Sequence, residues 1–288
     1  NQLSSQIIAD ANESFLPFDE ERYALIRSDG TTEALSSDKI EINSSGTGLN
    51  IYGLGSNDTG ATLIASLKKI KPTSKIKIKN RVKTLIVDKS NNQASGIGST
   101  TLNDGLSFGN YPYGTRVQDH TISLNVPDVI EIHGVFESVD TNNASAPKVS
   151  LSDINSTSTT TAELLIGESF IGETSGSEAI VAEKLTAGQI SFTYKNDIQF
   201  VEGETVTFQE SAVQGIVSTL TSDSFNISSN FKFRTGQEET FYDHARLERK
   251  EGSASPAKKL KIYYKSASYE STDNGDITTV ESYKNFDY

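Results

Sequence analysis

Short runs of alternating or β-branched residues, cut every ten or so positions by turn formers, recur from one end of this 288-residue chain to the other. No window holds apolar residues at the 3.6-residue spacing of an amphipathic helix. The pattern predicts an all-β, mainly β chain of several small sandwich-like or barrel-like modules, with a helical turn or two only over 241–250. Core formers are scarce: 35% of residues are hydrophobic. With glycine counted in place of tyrosine, the share still falls short of the roughly 45–50% usual in globular chains. Ser, Thr and Asn fill the deficit and favour strands, turns and surface. Several thin cores fit this supply better than one thick core.

Cys, Met and Trp are all absent. Without Cys there is no disulfide framework, thiol nucleophile, zinc ribbon or haem attachment. The chain starts Asn-Gln-Leu-Ser-Ser with no basic or apolar leader, so we expect it to be an interior piece of a longer protein. No apolar run approaches the ~20 residues of a membrane span, and no membrane insertion is expected. A net charge of −12 repels polyanions, which argues against general nucleic-acid binding.

Four segments are expected. Residues 1–60 read as a small N-terminal β unit, with Asp29-Gly30 a tight turn after the run Arg22 to Arg27. Residues 61–155 read as a β domain carrying a basic strand, with a long surface loop over 91–109. Within it, two strands over 121–126 and 129–139 are separated only by Pro127-Asp128. Polar residues over 153–161 read as a linker. Residues 156–222 read as an inserted β module with an internal echo, in which Phe170 and Phe200, thirty residues apart, each precede Gly-Glu-Thr and a β-branched strand. Residues 223–288 read as a C-terminal β segment that completes the 61–155 domain, with Asn274-Gly275 as a hairpin signal.

Lys75, Lys77, Lys79, Arg81 and Lys83 alternate with less polar residues, and period 2 places all five on one strand face. The functional reading is a ribbon gripping an acidic partner or a polyanionic glycan; the structural reading is a solvated strand whose lysines discourage edge pairing. Tyr111 and Tyr113 are candidate glycan contacts, as are Tyr263, Tyr264 and Tyr269, although strand tyrosines also serve as cross-strand packing. His120, His133 and His244 offer no metal set, because two ligands do not make a zinc site. Asp243, His244, Arg246 and Arg249 lack a nucleophile elbow beside them. Carboxylate pairs such as Glu20-Glu21 and Glu238-Glu239 give no reason to single out one pair for glycoside cleavage. The spacing in Asp273-Asn274-Gly275-Asp276 is wrong for a calcium loop and reads as a turn. No catalytic residue, cofactor or metal is expected.

Three stretches in order, over 113–138, 233–250 and 260–283, carry a resemblance. They are similar to large virion structural proteins of T-even-like phages of cyanobacteria and other marine bacteria. The latter two resemble a tail-protein domain of unknown function, in which a Tyr-Asp-His step (here Tyr242, Asp243 and His244, with Arg246 following) precedes a strand and a Ser-Tyr pair closes the segment. Residues 162–220 resemble a Phe-x-x-Gly-Glu-Thr insert of such proteins. The resemblance implies a non-enzymatic tail, baseplate or tail-fibre component, assembled in the host cytoplasm and carried in the virion. Its implied partners are other tail proteins and copies of itself, a trimer if it belongs to a fibre. The alternative is a receptor-binding adhesin for host glycan or lipopolysaccharide.

Overall fold

The computed structural model describes residues 3–54, 60–90, 116–154, 163–186, 188–237 and 243–286. Among them the chain is all-β, with only short 3-10 turns besides strands, and it divides into two compact units. No helix among the described residues is long and apolar enough to cross a membrane. The expected loop over 91–109 and most of the expected linker over 153–161 lie outside the described residues.

The first unit comprises Asn1–Ile76 and Thr272–Ser282. Its strands are β1 (Leu3–Ile8), β2 (Glu13–Phe15), β3 (Tyr23–Ile26), β4 (Thr32–Ala34), β5 (Ile40–Ile42), β6 (Gly48–Tyr52), β7 (Thr62–Ala65) and β8 (Leu67–Lys69). They form the sheets β1-β6-β5, β4-β3-β7 and β2-β8, all antiparallel. Alternation decides which side chains turn inward: Tyr23 and Leu25 of β3, and Leu49 and Ile51 of β6, are buried with Phe15, Leu35 and Ile40. The unit extends to Ile76, beyond the expected limit at residue 60, because a piece of the C-terminus completes it. Asp273 accepts hydrogen bonds from the backbone N–H of Ile76 and of Gly275, and Asp276 accepts from Thr73 N–H and from Lys69 Nζ. A Cβ on Gly275 would stand 2.5 Å from the Lys75 backbone, so that position requires glycine. The expected hairpin at Asn274-Gly275 therefore does not form; the chain leaving the turn makes a parallel bridge from Ile277 to Ser74. Local turn chemistry was legible there, but the tertiary partner was not.

The second unit comprises Lys77–Ser271 and Tyr283–Tyr288. Its strands are β9 (Lys77–Val87), β10 (Thr121–Ser123), β11 (Val129–Ser138), β12 (Lys148–Ser152), β13 (Ser169–Gly172), β14 (Glu178–Thr186), β15 (Gln189–Tyr194), β16 (Thr205–Phe208), β17 (Gln214–Thr221), β18 (Ser224–Asn226), β19 (Phe231–Arg234), β20 (Arg246–Arg249) and β21 (Leu260–Tyr269). The sheets β18-β11-β21-β9 and β10-β20-β19 enclose a sandwich core of Val87, Ile122, Val135, Leu247, Leu260 and Ile262 with their neighbours. β20 occupies part of the segment expected to be helical; Leu247 and the flanking charged residues alternate as a strand against β10 and β19.

The strands β12-β15-β14-β13-β16-β17 close a six-stranded antiparallel barrel. β12 belongs to it, although the sequence places residues up to 155 in the preceding domain. The barrel lies in the chain between β11 and β18, which are themselves paired, with Ser138 opposite Ser224. It is thus inserted between two adjacent strands of the sandwich. Phe170, Phe192, Phe200 and Phe208 fill its interior, Phe170 stacking on Phe200 at 5.0 Å and on Phe208 at 4.8 Å.

The barrel is built from two copies of one motif, 36 residues apart rather than thirty. Gly167 and Gly203 are both in the left-handed region, and each donates its N–H to the matching carbonyl, Val181 or Val217. β13 and β16 pair about Ile171 opposite Thr207, which themselves differ by 36. Glu168 and Glu204 are equivalent and buried. Glu168 accepts from its own Leu165 N–H and from Glu210 N–H, Ser211 N–H and Ser211 Oγ of the other copy. Glu204 accepts from its own Val201 N–H and from Thr174 N–H, Ser175 N–H and Ser175 Oγ. Each copy's carboxylate therefore locks the other copy's hairpin turn, and orphan backbone donors find a charged acceptor. Phe200 misleads as an alignment point: it lies in the loop before β16, where it serves the core without being the counterpart of Phe170.

Candidate functional site

β9 is an edge strand, and its five expected cations do not share a face. Lys75 precedes the strand, in the first unit. Opposite β21 the register shifts between the Tyr264–Lys83 and Ser266–Asn80 pairs, three steps on β9 against two on β21. This bulge reverses the phase of everything before it. Lys83 pairs with Tyr264 and Lys77 with Tyr269, five positions apart on β21 and so on opposite faces. Arg81, at the bulge, forms a 2.7 Å ion pair with Glu210 of the barrel, and its side chain fills the space that a Cβ on Gly167 would need. Lys79 lies 5.8 Å from the Phe286 ring. The continuous ribbon expected from period 2 is absent; its members have separate tasks.

Lys77 is the member farthest from expectation. Its side chain is 1% exposed and that of Asp128 5%, and the two form a direct ion pair. Lys77 Nζ also donates to Tyr283 Oη at 2.8 Å and lies 5.0 Å and 4.5 Å from the centroids of Tyr269 and Tyr283. Asp128 Oδ1 accepts from Gln237 Nε2, and Tyr283 Oη lies 3.4 Å from the same oxygen. Asp128 sits at φ 54, the turn between β10 and β11 aiming its carboxylate at Lys77. Tyr269 was legible as an aromatic candidate, but Asp128 and Tyr283 carried no signal beyond Pro127-Asp128 as a turn and the closing Ser-Tyr pair.

Of the Tyr-Asp-His step, Tyr242 lies outside the described residues, as do Tyr111 and Tyr113. Asp243 accepts from His244 N–H at 2.7 Å and pairs with Arg246 at 3.2 Å. A Cβ on Gly236 would meet the Asp243 and His244 carbonyls at 2.6 and 2.4 Å, so the motif fixes the backbone at the β19–β20 end. His133 Nε2 lies 2.9 Å from the Arg81 carbonyl, bracing the β9 bulge, and His120 is elsewhere, near Thr121. No group of three metal-binding side chains occurs among the described residues.

Where the barrel meets the sandwich, Glu183 of β14 receives Lys261 Nζ at 2.7 Å and Tyr263 Oη at 2.9 Å, while Phe136, Tyr263, Ala146 and Ala182 pack together. Burial, reinforced by the Glu183 charge, pushes the Tyr263 phenol far above its ordinary value. Tyr263 is thus a docking residue and not an exposed platform.

The barrel carries an open cleft of about 410 Å³ between its β15–β16 loop, the end of β17 and the end of β18, with Tyr194, Asp197, Gln199, Leu220 and Asn226 on its walls. A half-buried ring beside exposed amide and carboxylate groups suits a neutral, hydroxyl-rich ligand. This cleft is not legible in the sequence, since its walls come from three separate stretches. Comparison of the chain with protein-family models, with curated proteins and with solved structures finds no match in any of the three.

Proposed function

We propose that the chain is part of a non-enzymatic structural protein of a phage tail, baseplate or tail fibre, built to assemble with other tail proteins and with copies of itself. The three ordered motifs supply the class. The observation that carries the structural role is the barrel inserted between paired β11 and β18: a closed module locked by its own buried carboxylates is carried by a sandwich whose strand pairing it does not interrupt. Mass spectrometry of purified virions of a T-even-like phage that encodes the chain should find the parent protein at structural copy number, in particles assembled in the host cytoplasm. Its absence from purified virions rejects the assignment.

The barrel cleft favours a second reading, a receptor-binding adhesin for host surface glycan or lipopolysaccharide. In that reading Tyr194 offers a ring for a sugar face, and Asp197 and Gln199 hydrogen-bond its hydroxyls. Binding on glycan arrays should then fall by about tenfold in Gln199→Ala, the loss of one or two hydrogen bonds. Blank arrays together with unchanged adsorption to host cells reject it.

A further inference from the structure

We propose that Lys77 and Asp128 condense into an intramolecular isopeptide bond that covalently staples the sandwich. The two reacting groups are already in contact, in a pocket walled by the Tyr269 and Tyr283 rings. The site is screened from water, and the direct contact lets a proton pass within the pair from Lys77 Nζ to Asp128 Oδ2. The neutral amine is the nucleophile. Fixed contact supplies what dilute lysine and aspartate lack, an effective concentration on the order of 10⁵ M or more.

The surrounding groups match the needs of acyl transfer. A proton passes from Lys77 Nζ to Asp128 Oδ2, and the freed amine attacks Cγ. A C–N bond forms and negative charge gathers on Oδ1, where the Gln237 amide and the Tyr283 hydroxyl are placed to hold it. Tyr283 Oη, 2.8 Å from Nζ and 3.4 Å from Oδ1, carries the surplus proton from nitrogen to that oxygen. One of the two hydroxyls on Cγ then takes the proton of the other and leaves as water. Ammonium and carboxylate become amide and water, with no oxidant or reductant.

The placement gives the bond a purpose. Lys77 opens β9, Asp128 immediately precedes β11, and β21 lies between those strands, so they share no backbone ladder. The bond would tie them across β21 and close a loop of about fifty residues of the unfolded chain.

Intact mass spectrometry of the full, natively purified chain is the test. A mass one water below the sequence mass is expected, with a branched peptide joining the Lys77 and Asp128 fragments after proteolysis. Lys77→Met should restore the sequence mass. Asp128→Asn should lose ammonia in place of water, because the leaving group changes. Tyr283→Phe should slow bond formation by about 10²-fold, the usual contribution of a proton carrier. A folded wild-type chain at its unmodified sequence mass overturns the proposal, and wild-type kinetics in Tyr283→Phe overturn the role of Tyr283.

Discussion

The residues that lock the barrel are Glu168 and Glu204, which the sequence does not single out: only Glu204 belongs to the Gly-Glu-Thr echo, and its partner there is Glu173. Glu204 is buried, yet its carboxyl is held below the ordinary glutamate value of 4.5. Burial alone would raise it; the N–H groups of Ser175, Val201 and Thr174 and the Ser175 hydroxyl outweigh that effect. Glu204→Ala leaves those donors without an acceptor and should destabilise the barrel by about 3 kcal/mol, read by denaturant unfolding; Glu204→Gln, which keeps one acceptor oxygen, should cost about 1 kcal/mol. The sign of the pH dependence follows from the lowered folded-state value. The stabilisation is full above pH 4.5 and fades as the pH falls through that value toward the folded-state pKa. Wild-type stability should therefore drop more steeply below about pH 4.5 than that of Glu204→Gln, in unfolding curves taken across that range. Parallel pH profiles would contradict the assignment.

At the scale of elements, the insertion of the barrel has a direct consequence. Ser138 and Ser224 already face each other, and Val139 N–H reaches the Asp223 carbonyl at 3.4 Å. Replacing residues 140–222 by Asn-Gly should give a two-residue hairpin and a folded sandwich. Because Phe136 and Tyr263 lose their cover, that sandwich should be a few kcal/mol less stable and less soluble. Circular dichroism that shows a collapsed or unfolded product would contradict an independent sandwich. The same elements show what the sequence discloses. Strand character was legible wherever alternation met a turn dipeptide, as in β3, β6, β11 and β21. The β9 bulge was not, because a one-residue slip leaves no compositional trace while it moves Lys77 from an expected ribbon into a buried pair. The 36-residue repeat was visible only as Gly-Glu followed by Ser or Thr, and the larger Phe side chains drew the comparison to the wrong spacing. Asp128, Tyr283 and the cleft walls depend on contacts between distant stretches, which a single sequence does not encode locally.

The whole molecule has two units, one with its core around Leu49 and Tyr23 and the other holding a sandwich core and a barrel core of its own. Calorimetry should resolve two transitions, with Leu49→Ala lowering only one of them through a loss of about 2–5 kcal/mol. A single transition shifted as a whole would show that the units unfold together. At this scale the net charge of −12 opposes nonspecific association of copies of the chain. Immunogold electron microscopy, with antibodies raised against this chain and applied to purified virions of a phage that encodes it, tests the assignment to a tail structure most directly. Gold at a fixed position on the tail or baseplate is the expected result, and particles that bind no antibody, native or partly disassembled, would contradict it.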